Sequence, residues 1–256
     1  MKIYEIIFSP TGGTKRVSGV LAQSFLEIYD EDICRVDLAE KNADFSEIEL
    51  SAEDVAIVAV PSFGGRVPAV AAERLSAIKG NGAKAVAVCV YGNRHYDDTF
   101  AEMQDILTAA GFVCAAGVAA IAEHSIMHGF ATGRPDANDV QVLRDYAEKI
   151  ADKFRGEVSA LELPGNRPYK EYGGLPLKAQ ADDSCGSCGI CVPACPVGAI
   201  PAEEPSTTDT EKCITCMACV AACPNGSRSV NADIVAAFTA KLAPFCTEPK
   251  ENQLFI

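Results

Sequence analysis

Over the first 156 residues, short apolar runs alternate with stretches whose apolar residues recur every three or four positions. Ile3 to Phe8 reads as a strand buried on both faces, and it stops at the turn-forming segment Ser9-Pro10-Thr11-Gly12-Gly13-Thr14. Val17, Val20, Leu21, Phe25 and Ile28 then share one helical face. Ile33–Leu38, Asp54–Val60, Ala83–Tyr91 and Phe112–Ala122 follow as strands, the last weakened by Gly117. Helices are predicted over Val67–Lys79 and Asp98–Ala110, and around Val140, Leu143, Ala147, Ile150, Ala151 and Phe154. Five strands alternating with helices predict an α/β fold, a doubly wound five-stranded parallel sheet with right-handed crossovers. Such sheets bind ligands beyond the carboxyl ends of their strands. The loops to inspect are therefore 9–14, 61–66, 92–98 and 123–136.

The periodicity stops near Gly156. Residues 157–180 hold Pro164, Gly165, Pro168, Gly173, Gly174 and Pro176, and they read as a linker draped over the surface. From residue 181 the chain changes character. Eight of its 12 cysteines fall between Cys185 and Cys223, in two segments that match at an offset of 28. Cys185, Cys188, Cys191 and Cys195, followed by Pro196, form the first. Cys213, Cys216, Cys219 and Cys223, followed by Pro224, form the second. Gly198 and Gly226 also correspond. The expected division is 1–156, 157–180 as linker, a small cysteine-rich domain at 181–230, and a C-terminal helix and tail at 231–256.

Both segments read C-x2-C-x2-C-x3-C-P. Three thiolates at i, i+3 and i+6 wrap one side of an iron–sulfur cubane, and in this run the fourth cysteine ligates the other cluster. One [4Fe–4S] cluster is thus assigned Cys185, Cys188, Cys191 and Cys223, and the other Cys213, Cys216, Cys219 and Cys195. Structural zinc uses two separated cysteine pairs, so the third cysteine at the same spacing suits it poorly. A disulfide framework conflicts with the reducing compartment expected of a chain without a secretory signal. About 50 residues bury little apolar surface, so the clusters are expected to hold this part folded. The segment resembles two-cluster bacterial ferredoxins at every ligand position. Cys34, Cys89 and Cys114 lie in predicted strands as small core residues, and Cys246 reads as a free or packed thiol.

The turn at 9–14 offers hydroxyls at Ser9, Thr11 and Thr14, and backbone N–H groups around Gly12 and Gly13, at a helix N-terminus. It lacks the Lys of a Walker loop and the spacing of a dinucleotide fingerprint. Alone, such a turn could be a plain helix cap. The S-x-T-G-x-T pattern after strand one resembles the loop that flavodoxins use for the FMN phosphate. Two further segments continue that resemblance: Pro61-Ser62-Phe63-Gly64-Gly65-Arg66-Val67-Pro68 and Tyr91-Gly92-Asn93-Arg94-His95-Tyr96-Asp97-Asp98. It spans about residues 2–154. The whole chain is similar to fused flavodoxin–ferredoxin proteins of anaerobic bacteria and archaea, which implies strand order 2-1-3-4-5.

The resemblance implies that Phe63 and Tyr96 flank the isoalloxazine ring, that Gly92, Asn93 and Asp98 bond its pyrimidine edge, and that a peptide at Gly64 or Gly65 turns toward its N5. No Trp is present to take a face of the ring. His124 and His128, with Glu123 and Ser125, lie in the loop after strand five. They read either as ordinary polar loop residues or as an acid beside a flavin.

Charge narrows the partners. Formal net charge is −13, with −8 in residues 1–156, 0 in 157–180 and −5 in 181–256. No part is basic, which argues against nucleic acid. No apolar run approaches the roughly 18–20 residues of a membrane span. The sequence therefore predicts a cytoplasmic electron carrier that relays electrons between FMN and two [4Fe–4S] clusters and on to redox protein partners with basic docking patches. A head-to-tail homodimer could place one chain's cluster at another's flavin. The rival reading is a flavin-dependent reductase of a small-molecule acceptor, fed through the clusters.

Overall fold

The structure is a computed structural model describing residues 1–256. Five strands form a parallel sheet: β1 (Ile3–Ile7), β2 (Ile33–Asp37), β3 (Val55–Pro61), β4 (Lys84–Tyr91) and β5 (Val113–Ile121). Their spatial order is β2-β1-β3-β4-β5. β3, β4 and β5 are apolar almost throughout because helices cover both faces. α1 (Gly13–Tyr29) and α4 (Ala137–Phe154) pack on one face through Val17, Leu21, Phe25, Leu143, Ile150 and Phe154. α2 (Ala69–Ala77) and α3 (Thr99–Ala109) cover the other through Leu75, Phe100, Met103 and Leu107. Cys89 and Cys114 are buried in this core, whereas Cys34 on the edge strand β2 is half-buried.

The cysteine-rich part has two short helices, α5 (Cys191–Ala194) and α6 (Ala218–Ala222), and a two-stranded ribbon. In the ribbon β6 (Gln180–Ala181) pairs antiparallel with β7 (Arg228–Ser229). Its apolar core is small: Cys191, Cys195, Ala199 and Ile200. α7 (Ala232–Cys246) then lays Val235, Phe238, Leu242 and Cys246 against Met127, Phe130 and Leu177. That contact ties the second half of the chain to the loop after β5.

Two features lie beyond the sequence expectation. First, the tail returns to the first domain's sheet. β8 (Gln253–Phe255) pairs antiparallel with β5 as a sixth, edge strand. Buried Asn252 locks it there. Its Oδ1 accepts from the Ile121 N–H (2.9 Å), its Nδ2 donates to Asp139 (2.8 Å), and its carbonyl accepts from the Tyr146 hydroxyl (2.8 Å). Residues 231–256 thus end inside the first structural unit.

Second, the linker is tied to the first domain at several points. The Leu161 N–H donates to the Cys114 carbonyl (2.9 Å), and Leu163 enters the core beside α3. Asp98 accepts from the N–H groups of Asn166 and Lys170 (2.7 Å each). Arg167 and Tyr169 bond Asp105, and Arg66 donates to the Lys170 carbonyl. Gly117 has a reason too. A Cβ there would come within 2.6 Å of Leu163, so the glycine that weakens the strand pattern makes room for the linker.

Candidate cofactor sites

At the carboxyl ends of β1, β3, β4 and β5 lies an open cavity, with about 730 Å³ of empty space that includes its mouth to solvent. Its floor is the β1–α1 loop, with Ser9, Pro10, Thr11, Gly13 and Thr14. Gly12 caps α1 at φ 88°, a left-handed conformation that glycine adopts without strain. Ser9 Oγ accepts from the Lys15 N–H at 2.8 Å. α1 runs 17 residues with no acid in its first turn, so its free N–H groups and positive dipole end suit a phosphate.

The walls come from the next two loops. Pro61, Ser62, Phe63 and Gly64 line one side, and Tyr91 and Gly92 another. Phe63 and Arg66 exchange backbone hydrogen bonds (2.9 and 3.2 Å) around Gly64 at φ 61° and Gly65 at φ 90°. This is a tight two-residue turn that wants positive φ at both centres. Arg66 forks onto Glu102 and fixes the turn to α3.

Other expected residues face elsewhere. Gly12 and Gly65 shape turns without lining the cavity. Asn93, at φ 65°, turns its side chain to the carbonyls of Cys246 (2.6 Å) and Glu248 (2.9 Å). Tyr96 is buried among Tyr91 and Phe100, with its hydroxyl on Gln253 (3.0 Å). Asp98 is spent on the linker. The aromatic residue that does reach the cavity beside Phe63 is Tyr172, which no periodicity in the linker marks. Its ring lies directly on Gly64, where a Cβ would overlap it.

The loop after β5 contributes Glu123, His124, Ser125 and Ile126. His124 Nδ1 accepts from the N–H groups of Ile126 and Met127 (3.2 Å each), so the neutral ring carries its proton on Nε2. Burial, reinforced by His128, pushes its pKa down to about 4. The ring packs on Gly92, where a Cβ would sit 2.7 Å away. Glu123 is held by His128 Nδ1 (2.8 Å) and the Gly133 N–H (2.7 Å).

The cavity is capped from the second half of the chain by Leu175, Thr215 and Cys216. Lys178 Nζ donates to the Cys213 carbonyl (2.5 Å), and Thr215 Oγ1 to that of Leu175 (3.3 Å). These bonds join the linker to the cap.

The cysteines ring two further hollows. One, of about 320 Å³, is lined by Cys185, Cys188, Cys191 and Cys223. The other, of about 330 Å³, is lined by Cys195, Cys213, Cys216 and Cys219. Each takes three cysteines from one run and the fourth from the other, and none of the twelve is in a disulfide. No three His, Cys, Asp or Glu side chains converge closely enough to share a single ion. Four thiols around one hollow are the donor set that a [4Fe–4S] cluster takes.

The donors are prepared for anionic sulfur. The Ala199 N–H points at Cys195 Sγ (3.2 Å). Twenty-eight residues on, at the related position, the Cys223 thiol is held below the usual range. Desolvation opposes this, but the N–H groups of Asn225, Arg228 and Ser227 outweigh it. Burial, with Cys195, Cys219 and Cys213 close by, pushes Cys216 up to about 12. Crowded buried thiols resist ionising alone, and a cationic iron core relieves that cost. Cys216 lines both this hollow and the large cavity.

One consequence is testable at once. Gly64→Ala places a Cβ against Tyr172 and forces a non-glycine residue to φ 61°, so chemical denaturation should show a loss of about 1–2 kcal/mol or more. Gly19→Ala, in α1 with open space around it, should be neutral or gain up to about 1 kcal/mol. Equal effects would mean that Tyr172 does not rest on Gly64.

The family model described as a 4Fe-4S dicluster domain matches residues 184–227. Similar solved structures include a flavodoxin of Streptococcus pneumoniae TIGR4, at 20% identity and TM-score 0.43, covering 59% of this chain and 99% of that one. Another is a flavodoxin from the domain Archaea, at 16% identity and TM-score 0.44, covering 61% and 100%. A third is oxidised Flavodoxin 1 from Bacillus cereus, at 16% and 0.43, covering 59% and 98%. A search of curated proteins found no match. The strand order, rather than these likenesses, identifies the first domain as flavodoxin-like. The chain joins that fold to a 4Fe–4S ferredoxin-type segment. No helix is long and apolar enough to cross a membrane.

Proposed function

We propose that the protein is an electron carrier, with FMN in the large cavity and a [4Fe–4S] cluster in each cysteine-ringed hollow. FMN supplies one- and two-electron chemistry and each cluster a single electron, so the chain can pair or split electrons between partners. The observation that carries this reading is Cys216, a residue that lines both the large cavity and the inner hollow.

The residues divide the work. Ser9, Thr11 and Thr14, with the N–H groups of the β1–α1 loop, bind the phosphate. Phe63 and Tyr172 flank the ring, Tyr172 taking the part that Tyr96 cannot. Gly64 leaves its peptide free to turn toward N5. His124 offers a fixed, neutral Nε2–H at the cavity. The linker and tail hold the cysteine-rich part against the cavity, so a second chain is not needed to bring a cluster to the flavin. This arrangement favours transfer within one chain over a head-to-tail homodimer.

The outer hollow is the port. Cys188 is exposed there, with Asp182, Asp183, Glu203 and Glu204 also exposed nearby in the chain. Those acids suit a redox partner with a basic docking patch, whose association slows with salt. The cap of Tyr172, Leu175, Thr215 and Cys216 restricts direct access to the flavin. That supports a carrier over a reductase of small acceptors.

Anaerobic purification with iron, sulfide and flavin quantitation tests the reading. About eight irons and one FMN per chain are expected. Zinc in place of iron, or a colourless protein, would overturn it. Turnover of a small acceptor by holoprotein fed through its clusters would favour the reductase instead.

A further inference from the structure

Arg228 is 2% exposed, at the start of β7, and lines the outer hollow with Cys185, Cys188, Cys191 and Cys223. Its guanidinium has only neutral partners. One terminal nitrogen donates to Thr208 Oγ1 (2.9 Å), and the other to the carbonyls of Pro205 and Thr207. Its Nε–H, also buried, has no partner at all. A buried cation without a counter-charge is costly, and so is an orphaned donor. The residue that carries both deficits lines a hollow ringed by four cysteines.

The internal repeat sharpens the point. The offset of 28 that superposes Cys185 on Cys213 superposes Ile200 on Arg228. Ile200 is buried and lines the inner hollow, as Arg228 lines the outer one. Two otherwise related sites therefore differ by a buried positive charge in one and an aliphatic chain in the other.

We propose that Arg228 is the buried counter-cation of the outer cluster and makes it the more easily reduced of the two. This rests on the reading that both hollows hold clusters. Reduction adds one electron, taken from the flavin or a protein donor, to a group that is already a net anion. A fixed cation and a free N–H donor at its edge stabilise that added charge. The guanidinium is also close enough to Cys219 of the inner set to act on it. Arg228 lines the outer hollow and not the inner one, so its charge is assigned chiefly to the outer cluster. Electrons then rest at the exposed port, and the inner cluster passes them to or from the flavin.

The test is a redox titration of the holoprotein followed by EPR. The native protein should show two separate cluster reduction steps. In Arg228→Met the step at higher potential should fall by at least tenfold in its equilibrium constant, about 59 mV for a one-electron couple. The lower step should move less, so the gap narrows. Arg228→Lys, which keeps the charge, should restore most of the gap. Two coincident steps in the native protein would overturn the proposal. So would a methionine variant with both clusters and an unmoved upper step, or a lower step that moves more. If Arg228→Met does not assemble, the lysine variant decides: an upper step lowered tenfold with the charge retained would contradict the proposal. A protein that binds no iron would sink the cluster reading itself, whereas assembled clusters with unchanged potentials sink only the role of Arg228.

Discussion

Cys195→Ala and Cys223→Ala should each remove about half of the roughly eight irons, yet only Cys195→Ala should cut the flavin off from the clusters. Cys195 shares its hollow with Cys213, Cys216 and Cys219, the set that borders the large cavity through Cys216. Without that cluster an electron entering at Cys188 has no station beside the flavin. Reduction of the flavin by a protein donor too large to enter the capped cavity should fall to background. Cys223 shares the outer hollow with Cys185, Cys188 and Cys191. Its loss should leave the inner cluster in exchange with the flavin while slowing entry from the partner. If each run of four bound its own cluster instead, the outcome would invert, because Cys223 would then complete the set containing Cys216. Iron analysis with stopped-flow flavin absorbance on the two variants separates the cases.

Deleting residues 252–256 should cost about 3–6 kcal/mol, because it orphans buried groups at about 1–3 kcal/mol each and removes apolar packing as well. The Ile121 N–H loses the Asn252 side chain, and Asp139, also buried, loses one of its donors. Tyr96 loses Gln253, and Phe100 loses the edge of Phe255 (centroids 5.5 Å apart). Against a usual domain stability of about 5–15 kcal/mol that is a large fraction. Asn252→Ala alone should reproduce about 1–3 kcal/mol of it. Chemical denaturation of the two variants measures both. A truncated protein as stable as the native one would mean that β8 does not belong to the sheet in solution.

The strands were legible because the interior of a parallel sheet demands unbroken apolar runs. Val55–Pro61 and Lys84–Tyr91 could hardly be anything else. The two cysteine runs were legible because their spacing is written directly in the chain, and each hollow is lined by three cysteines of one run and the fourth of the other. β8 was not, since three residues are too few to show a period and their partner strand lies some 130 positions earlier. Within one loop motif, Tyr91 and Gly92 reach the cavity while Asn93, Tyr96 and Asp98 do not. Positive φ at Asn93 and Asp97 swings the chain, and the tail and linker capture those polar side chains. Spacing reports which residues lie in a loop, not which way they turn. Tyr172 and Leu175 were hidden for a similar reason. Only the hydrogen bonds that strap the linker to Asp98, Asp105 and Arg66 bring them over the large cavity. Cys216 read as a ligand alone, because its second neighbour comes from the folding of the two halves together.

That juxtaposition is the central claim, and the concentration dependence of flavin reduction tests it most directly. Anaerobic holoprotein is mixed with a reduced protein donor in excess, and the clusters and the flavin are followed at separate wavelengths. The account predicts that flavin reduction follows cluster reduction at a rate that stays constant as the holoprotein is diluted, as transfer within one chain requires. A rate that rises in proportion to holoprotein concentration, or a flavin that stays oxidised beside reduced clusters, would contradict it.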